Sequence, residues 1–399
     1  MDRLIIDGHV LADARPSGVS HYAGGIVAAL DQLLGESQYA DLEVILIAPL
    51  ERAGRLRSLG LRHIELRRNP IPTRAMTRLA DSDRIPSMDR LFGRGVYLFP
   101  NFRTWPLRHS RAITSVHDLT FETHRSFTAD RDAERLRHEV RKTIARADYI
   151  SCLTHTSARE LSAFYGIADD RLIVAPPGVD ATEFRPRTPP EIVAVRHRYR
   201  LPERYFLNVG NMEPRKNQTS LVRAYLSLPA EVRDRHGLVL VGANGWKNDE
   251  LMRLVNEATR RGEQILALQG RVTDADLPAV YSGASAFVFP SFYEGFGMPV
   301  IEAMACDTPV VLSDTSVMTE VGGDAPLYID PSSEASLAQA MAAIDALSAD
   351  ERTAMATKGR RRASAYAWTA SAAVILRTCR VLWSAADSVA QPDQESRDR

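Results

Sequence analysis

Short apolar runs separated by longer amphipathic stretches recur along this chain, and that alternation leaves few folds open to it. A run too short for a helix and bounded by turn residues reads as a buried strand, and an amphipathic stretch after it reads as a helix covering the sheet. Repeated strand–helix units make a parallel sheet, because parallel neighbours need a crossover between them. Strands are predicted at Leu4–Asp7, Leu42–Ile47, Val96–Phe99, Ala112–His117, Tyr149–Leu153 and Leu172–Ala175, with helices between them over Ser20–Leu34 and Asp130–Arg146. The alternation then restarts with strands at Tyr205–Val209, Leu238–Val241, Ile265–Gln269, Ala286–Pro290 and Pro309–Ser313. Helices are predicted near Gln218–Leu228, Asp249–Arg261, Asp274–Tyr281, from Met298, and near Glu334–Leu347. Between the halves, Arg185-Pro-Arg-Thr-Pro-Pro190 and the Arg-rich segment to Arg204 read as a linker, since proline lacks the N–H and disfavours helix before it. The expected division is 1–190, 191–365, a C-terminal helix over 366–389 crossing back to the first domain, and a disordered polar tail over 390–399.

The 399 residues suit two or three domains, and 45% hydrophobic with 25% charged residues is ordinary for a globular protein. Fifty basic residues balance fifty acidic ones, which argues against a nucleic-acid partner, since such binders carry a basic face. Cys152, Cys306 and Cys379 are too few and too scattered for a disulfide framework or a Cys-x-x-Cys metal site. With no run long enough to span a bilayer and no signal peptide, a cytoplasmic protein is expected. The balanced charge hides a bias, because only four of the fifty basic residues are lysine (Lys142, Lys216, Lys247, Lys358). Residues 51–95 hold eleven Arg against five acids; this stretch reads either as a solvated face or as a docking face for a lipid-diphosphate acceptor or for the anionic headgroups of a membrane met peripherally at its inner face.

The most informative stretch is Val288-Phe-Pro-Ser-Phe-Tyr-Glu-Gly-Phe-Gly-Met-Pro-Val-Ile-Glu302. A strand ends, a loop carries Glu294 and two glycines, and Pro299 marks the first turn of a helix, where its missing N–H costs nothing. The free amides of Gly295, Phe296, Gly297 and Met298, aligned with the helix dipole, make an anion site. Glu294 and Glu302 bracket it, and carboxylates accept hydrogen bonds from sugar hydroxyls. A phosphate flanked by two sugars is a nucleotide sugar. Glu213-Pro-Arg215-Lys216-Asn217 follows the first strand of the second half, at the edge where open α/β sheets bind ligands, and its adjacent cations suit a diphosphate. The Ser17-Gly18-Val19 loop would let backbone approach a phosphate, and His117-Asp118 ends a strand, with Asp118 either orienting the ring or capping the next segment. Asp81-Ser-Asp83, Asp130-Arg-Asp132 and Asp274-Ala-Asp276 are Asp-x-Asp pairs, but none follows a strand as a metal motif would; no metal site is expected.

Glu294-Gly-Phe-Gly-x-Pro-x-x-Glu302 resembles the signature of the retaining glycosyltransferases of family 4. The resemblance extends to Val209–Asn217, Leu240–Trp246, Gly270–Asp274, Glu320–Asp324, Asp330–Pro331, Pro16–Tyr22, Val116–Thr120 and Pro176–Asp180, and the Gly-Trp and His-Asp-Leu-Thr variants look most like the mannosyltransferase branch. It implies an α/β GT-B fold, two Rossmann-like doubly wound domains facing across a deep cleft. It implies a hexosyltransferase that needs no cofactor or metal and moves a sugar, with mannose from GDP-mannose expected, to a hydroxyl of a glycan or lipid-linked acceptor in polysaccharide or glycolipid synthesis. It assigns His117, Glu294, Arg215 and Lys216 to catalysis, and Gly18, Asn211, Val272, Gly295, Phe296, Gly297, Met298 and Glu302 to the donor. Asp118 and His21 fall to the acceptor. Asn211 stands where many relatives carry Arg, Ser17 where many have Gly, and His21 where Arg is common. The alternatives are a UDP- or dTDP-sugar donor, a glycoside phosphorylase or epimerase on the same fold, or a non-catalytic nucleotide-sugar or glycan binder. Substitution of Glu294 or Lys216 by Ala is expected to reduce transfer by orders of magnitude and leave the melting temperature nearly unchanged.

Overall fold

The computed structural model describes residues 2–12, 17–80, 87–128 and 130–389; the 390–399 tail and the Asp81-Ser-Asp83 pair lie outside them. The chain divides into two compact units, one made of residues 1–177 and 368–399, the other of Gly178–Ala367. Each unit holds one parallel sheet.

In the first unit the strands are β1 (Arg3–Asp7), β2 (Glu43–Ala48), β3 (Glu65–Arg68), β4 (Val96–Phe99), β5 (Arg111–Val116), β6 (Tyr149–Cys152) and β7 (Leu172–Val174). They lie in the order β3-β2-β1-β4-β5-β6-β7. In the second, β8 (Tyr205–Val209), β9 (Gly237–Gly242), β10 (Ile265–Gln269), β11 (Ala286–Phe289), β12 (Val310–Ser313) and β13 (Leu327–Ile329) lie in the order β10-β9-β8-β11-β12-β13. Both orders run outward in two directions from the first strand, so each sheet has one point, β1/β4 or β8/β11, where loops leave on opposite sides and a crevice opens. The strands read as continuous apolar runs because both faces are covered; Ile5, Ile45 and Ile113 in one unit and Leu207, Phe287 and Val311 in the other are 0% exposed.

Two strands escape the sequence pattern. Glu65–Arg68 is a charged four-residue edge strand, and Leu327–Ile329 is a three-residue edge. Short and charged edges guard against pairing with other chains, and they erase the apolar signature. The linker reading also needs correction. The chain divides after Pro177 rather than at 190, and Pro189–Tyr199 is a helix whose two prolines sit in its first turn under a Thr188–Glu191 capping box. The helix expected over Asp274–Tyr281 forms only over Leu277–Ser282.

The Trp368–Val389 helix belongs to the first unit and packs along the Gly18–Leu33 helix. No described helix is long and apolar enough to cross a membrane. Gly25 makes the approach possible, since a Cβ there would lie 2.4 Å from the Trp368 ring. Gly25→Val is therefore expected to destabilise the protein by about 1–3 kcal/mol. Urea unfolding followed by tryptophan fluorescence measures this, and an unchanged midpoint would contradict the packing.

Candidate active site

Two loops of the second unit meet where the strand order reverses. One follows β8 and runs through Gly210–Asn217 into the Gln218–Leu226 helix; the other follows β11 and runs through Pro290–Gly297 into the Met298–Ala305 helix. The first is shaped by Asn217, in the left-handed region at φ 57°, whose amide donates to the carbonyls of Pro290 (3.1 Å) and Pro331 (2.7 Å). Asparagine tolerates that backbone better than most residues, so one side chain sets the turn and ties it to the second loop. Gly242, at the end of β9, lets that strand pass close by: a Cβ would lie 1.9 Å from the Gly210 carbonyl oxygen.

Glu294 sits where the loops touch, 6% exposed. Its Oε2 accepts from Arg215 Nη1 at 2.7 Å and its Oε1 from Lys216 Nζ at 2.6 Å. Arg215 also donates to the Tyr293 carbonyl (2.7 Å) and to Glu213 Oε1 (2.9 Å), and its own carbonyl accepts from Phe292 N–H at 3.0 Å. Lys216 Nζ lies 5.0 Å from the centre of the Phe289 ring. Burial alone would raise the Glu294 pKa, but Arg215 and Lys216 overcome it and hold the carboxyl at about 2. Burial lowers the Lys216 pKa below the usual lysine range, against the pull of Glu294.

The Met298–Ala305 helix starts at Gly297, at φ 91°, with no side chain capping its first turn. Glu302, one turn in, accepts a hydrogen bond from the Tyr281 hydroxyl at 3.0 Å. Burial, with Glu183 and Asp274 nearby, raises its pKa to about 7 despite that bond. Two carboxyls of one motif thus stand in opposite charge environments.

The other predicted residues are distributed by loop. Asn211 is exposed beside the Arg215 loop, its carbonyl accepting from Gln218 Nε2 at 3.3 Å, and Val272 lies in the loop after β10. Gly295 and Phe296 are buried, and the Phe296 ring meets Tyr366 edge-on at 5.2 Å. In the first unit His117 directly follows β5; its Nε2–H donates to the Pro100 carbonyl at 2.9 Å and its ring meets Tyr22 at 5.0 Å. Burial lowers its pKa. Asp118 does not hold that ring by a hydrogen bond; its carboxylate accepts from Thr120 N–H at 3.0 Å. Gly18 is the first residue of a helix capped by Ser17, and His21 is exposed in its first turn. Glu213 and Asn217, which the sequence places in the motif without a role, and Tyr281 complete the site, and an Asn immediately before a predicted helix is a visible signal of a turn. Asp276, of the Asp-x-Asp pair, is held by Arg198 at 2.6 Å, Tyr199 at 2.6 Å and Thr273 at 2.9 Å, and Asp132 pairs with Arg135. Among the described residues no group of three or more His, Cys, Asp or Glu is placed to hold a metal ion.

The stability expectation drawn from sequence fails on this geometry. Removing the Glu294 carboxylate leaves Lys216 and Arg215 with an uncompensated enclosed charge, so Glu294→Ala is expected to cost about 3 kcal/mol at neutral pH. The cost follows pH: the folded pKa is depressed from 4.5 to about 2, so the stabilisation is present above 4.5 and is lost as pH falls through 2. Glu302 has the opposite sign. Its pKa is raised from 4.5 to about 7, so its favourable contribution is present below 4.5 and is lost as pH rises through 7. Glu302→Gln should melt higher than wild type at pH 8.5 and level with it at pH 4.5. Differential scanning fluorimetry across pH reads both variants, and parallel curves would contradict these charge states.

A family model described as "Glycosyl transferases group 1" matches residues 194–362, and one described as "Glycosyltransferase Family 4" matches residues 23–183. O-antigen chain mannosyltransferase B of Escherichia coli is 38% identical over 237 residues, 59% of this chain and 61% of that protein. Serotype-specific mannosyltransferase WbdA of Escherichia coli is 35% identical over 182 residues, 45% of this chain and 22% of that protein. The chain therefore spans under two thirds of the first relative and about a fifth of the second. Among solved structures, sucrose-phosphate synthase from Thermosynechococcus elongatus superposes with a TM-score of 0.73 at 20% identity, covering 96% of this chain and 100% of that one. At that identity the likeness is one of fold.

Proposed function

We propose that the chain, whose two halves match a group 1 and a family 4 glycosyltransferase model and whose fold is that of GT-B proteins, transfers mannose from GDP-mannose onto a hydroxyl of a growing polysaccharide. The observation that carries the reading is the pair of cations, Arg215 and Lys216, gathered on Glu294 beside an uncapped helix N-terminus. That is an arrangement suited to a diphosphate leaving group, which needs fixed positive charge where negative charge grows. The two mannosyltransferase relatives support the sugar, and the one named for the O-antigen chain supports the polymer.

In this reading the diphosphate of the donor draws on Arg215, Lys216 and the amides of Gly295–Met298. Glu294, relieved of part of its ion pairing, accepts hydrogen bonds from the donor sugar, and Glu302 from the ribose. Val272 and its loop read the base. His117 serves the transferring sugar and Asp118 and His21 the acceptor, as the family likeness assigns. The anomeric carbon–oxygen bond to the diphosphate breaks, the acceptor oxygen bonds to the same face of that carbon, and the departing phosphate oxygen takes the acceptor's proton. The configuration is thereby retained. Charge stabilisation of the leaving group is assigned to these side chains and amides, with no metal ion required.

A panel of nucleotide sugars tests this directly. GDP-mannose at 100 times its dissociation constant is expected to add about 2.7 kcal/mol of apparent stability, more than UDP- or dTDP-sugars do. Lys216→Ala should lower mannose transfer at least a hundredfold, with GDP released only when acceptor is present. Transfer near the wild-type rate in that variant would remove the site assignment, and acceptor-independent turnover would favour another chemistry. For localisation, the Arg excess of residues 51–95 supports work at the inner membrane face. Arg67 there is paired with Glu43 and Glu65, which leaves less of that charge for lipid. Liposome sedimentation should rise with anionic lipid and fall with salt, and binding that ignores both would overturn this placement.

A further inference from the structure

The carboxyl edge of the first sheet also carries a cavity, of about 690 Å³, opening where β1 and β4 diverge. That volume lies within the range of small-ligand sites. None of the predicted residues lines it.

Its chemistry is biased toward hydrogen-bond donors. Asp7 ends β1, and its carboxylate accepts from the Nδ1–H of His9 and from the His9 backbone N–H at 3.3 Å. That holds a proton on Nδ1 and leaves Nε2, an acceptor on the neutral ring and a donor on the charged one, buried and facing no partner among the described residues. A buried polar atom of this kind calls for a hydrogen-bonding group. Burial lowers the imidazole pKa, yet the Asp7 carboxylate reverses the effect and the net shift is upward. Trp105 stands against the imidazole, ring centres 5.5 Å apart. The second acid on the wall, Glu51, is already engaged by Thr73, through its N–H at 2.9 Å and its hydroxyl at 3.0 Å. Arg74 and Arg103 also line the cavity, and the side chain of neither takes part in a hydrogen bond or ion pair among the described residues. Glu51 is thus engaged on both oxygens and Asp7 on Oδ1, whereas two guanidinium groups and one imidazole nitrogen have no partner among the described residues. A planar guanidinium fork matches a carboxylate or phosphate.

We infer that this cavity binds a saccharide bearing an anionic group, a phosphate or a carboxylate, with Arg74 and Arg103 on the anion and His9 Nε2 on a ring hydroxyl. The inference rests on the glycosyltransferase reading, under which the ligand is part of the acceptor. It names the chemistry that acceptor must carry.

The test uses the full chain and isothermal titration with three probes: mannose 6-phosphate, glucuronate and uncharged methyl α-mannoside. One anionic probe is expected to bind at least tenfold tighter than the methyl mannoside. Arg103→Gln and Arg74→Gln should each remove most of that preference, and Lys216→Ala, in the other unit, should leave it intact. A preference for mannose 6-phosphate identifies a phosphate and one for glucuronate identifies a carboxylate. Equal affinity for all three, no binding at millimolar concentration, or a preference lost in Lys216→Ala but kept in Arg103→Gln would overturn the site. Failure here with GDP-mannose still stabilising the protein leaves the transferase reading standing. Sugar binding here without any nucleotide-sugar response removes that reading instead.

Discussion

The ion triad of Glu294, Arg215 and Lys216 joins two loops that have no reason to meet in sequence, and the organisation of the second unit follows from bringing them together. The loop after β8 supplies the cations and the loop after β11 supplies the carboxylate. They converge because β8 and β11 are neighbours while their crossovers leave in opposite directions. Charges this enclosed would be costly if unpaired, so the triad constrains both loops to one conformation. Asn217 reinforces it by reaching two carbonyls across the same gap. The same three groups are those that the proposed transfer sets against a diphosphate and a sugar.

Glu294 and Glu302 show how environment divides labour between identical side chains. Glu294 is buried and Glu302 partly buried, and removal from water alone would push both upward. Two cations hold the first ionised to about pH 2, whereas the second faces a tyrosine hydroxyl and two further acids and titrates near 7. Separation of pKa values within one motif is a recurrent sign of distinct roles. The first can serve as a fixed negative charge, and the second can change its charge state near neutral pH.

Much of this was legible in the residues. The strand–helix alternation, the restart in the second half, and the Glu294–Glu302 and Arg215–Lys216 segments each carry a local signal: apolar runs, turn glycines, a proline in the first helical turn. The losses have physical causes. Glu65–Arg68 is an edge strand with polar side chains, so it has no apolar run to find. Pro189 and Pro190 look like helix breakers in sequence, yet in the first turn they break nothing. Asp118 proved to cap its own loop rather than hold His117, whose ring is fixed by a main-chain carbonyl that no side-chain pattern reveals. Asp7 and His9 drew no notice, because a short Asp-Gly-His after a strand looks like a turn until Trp105, Arg74 and Arg103 are placed around it.

The sequence by itself determined the element types, the two-sheet organisation and the residues of the family motifs, since periodicity, turn chemistry and capping act over a few neighbouring positions. Only the tertiary structure decided which charges meet. The bonds from Arg215 and Lys216 to Glu294 join residues 79 and 78 positions apart, and the wall of the first unit's cavity gathers residues from Asp7 to Trp105. Electrostatic partners are set by distance in space, and strand order rather than chain position fixes that distance.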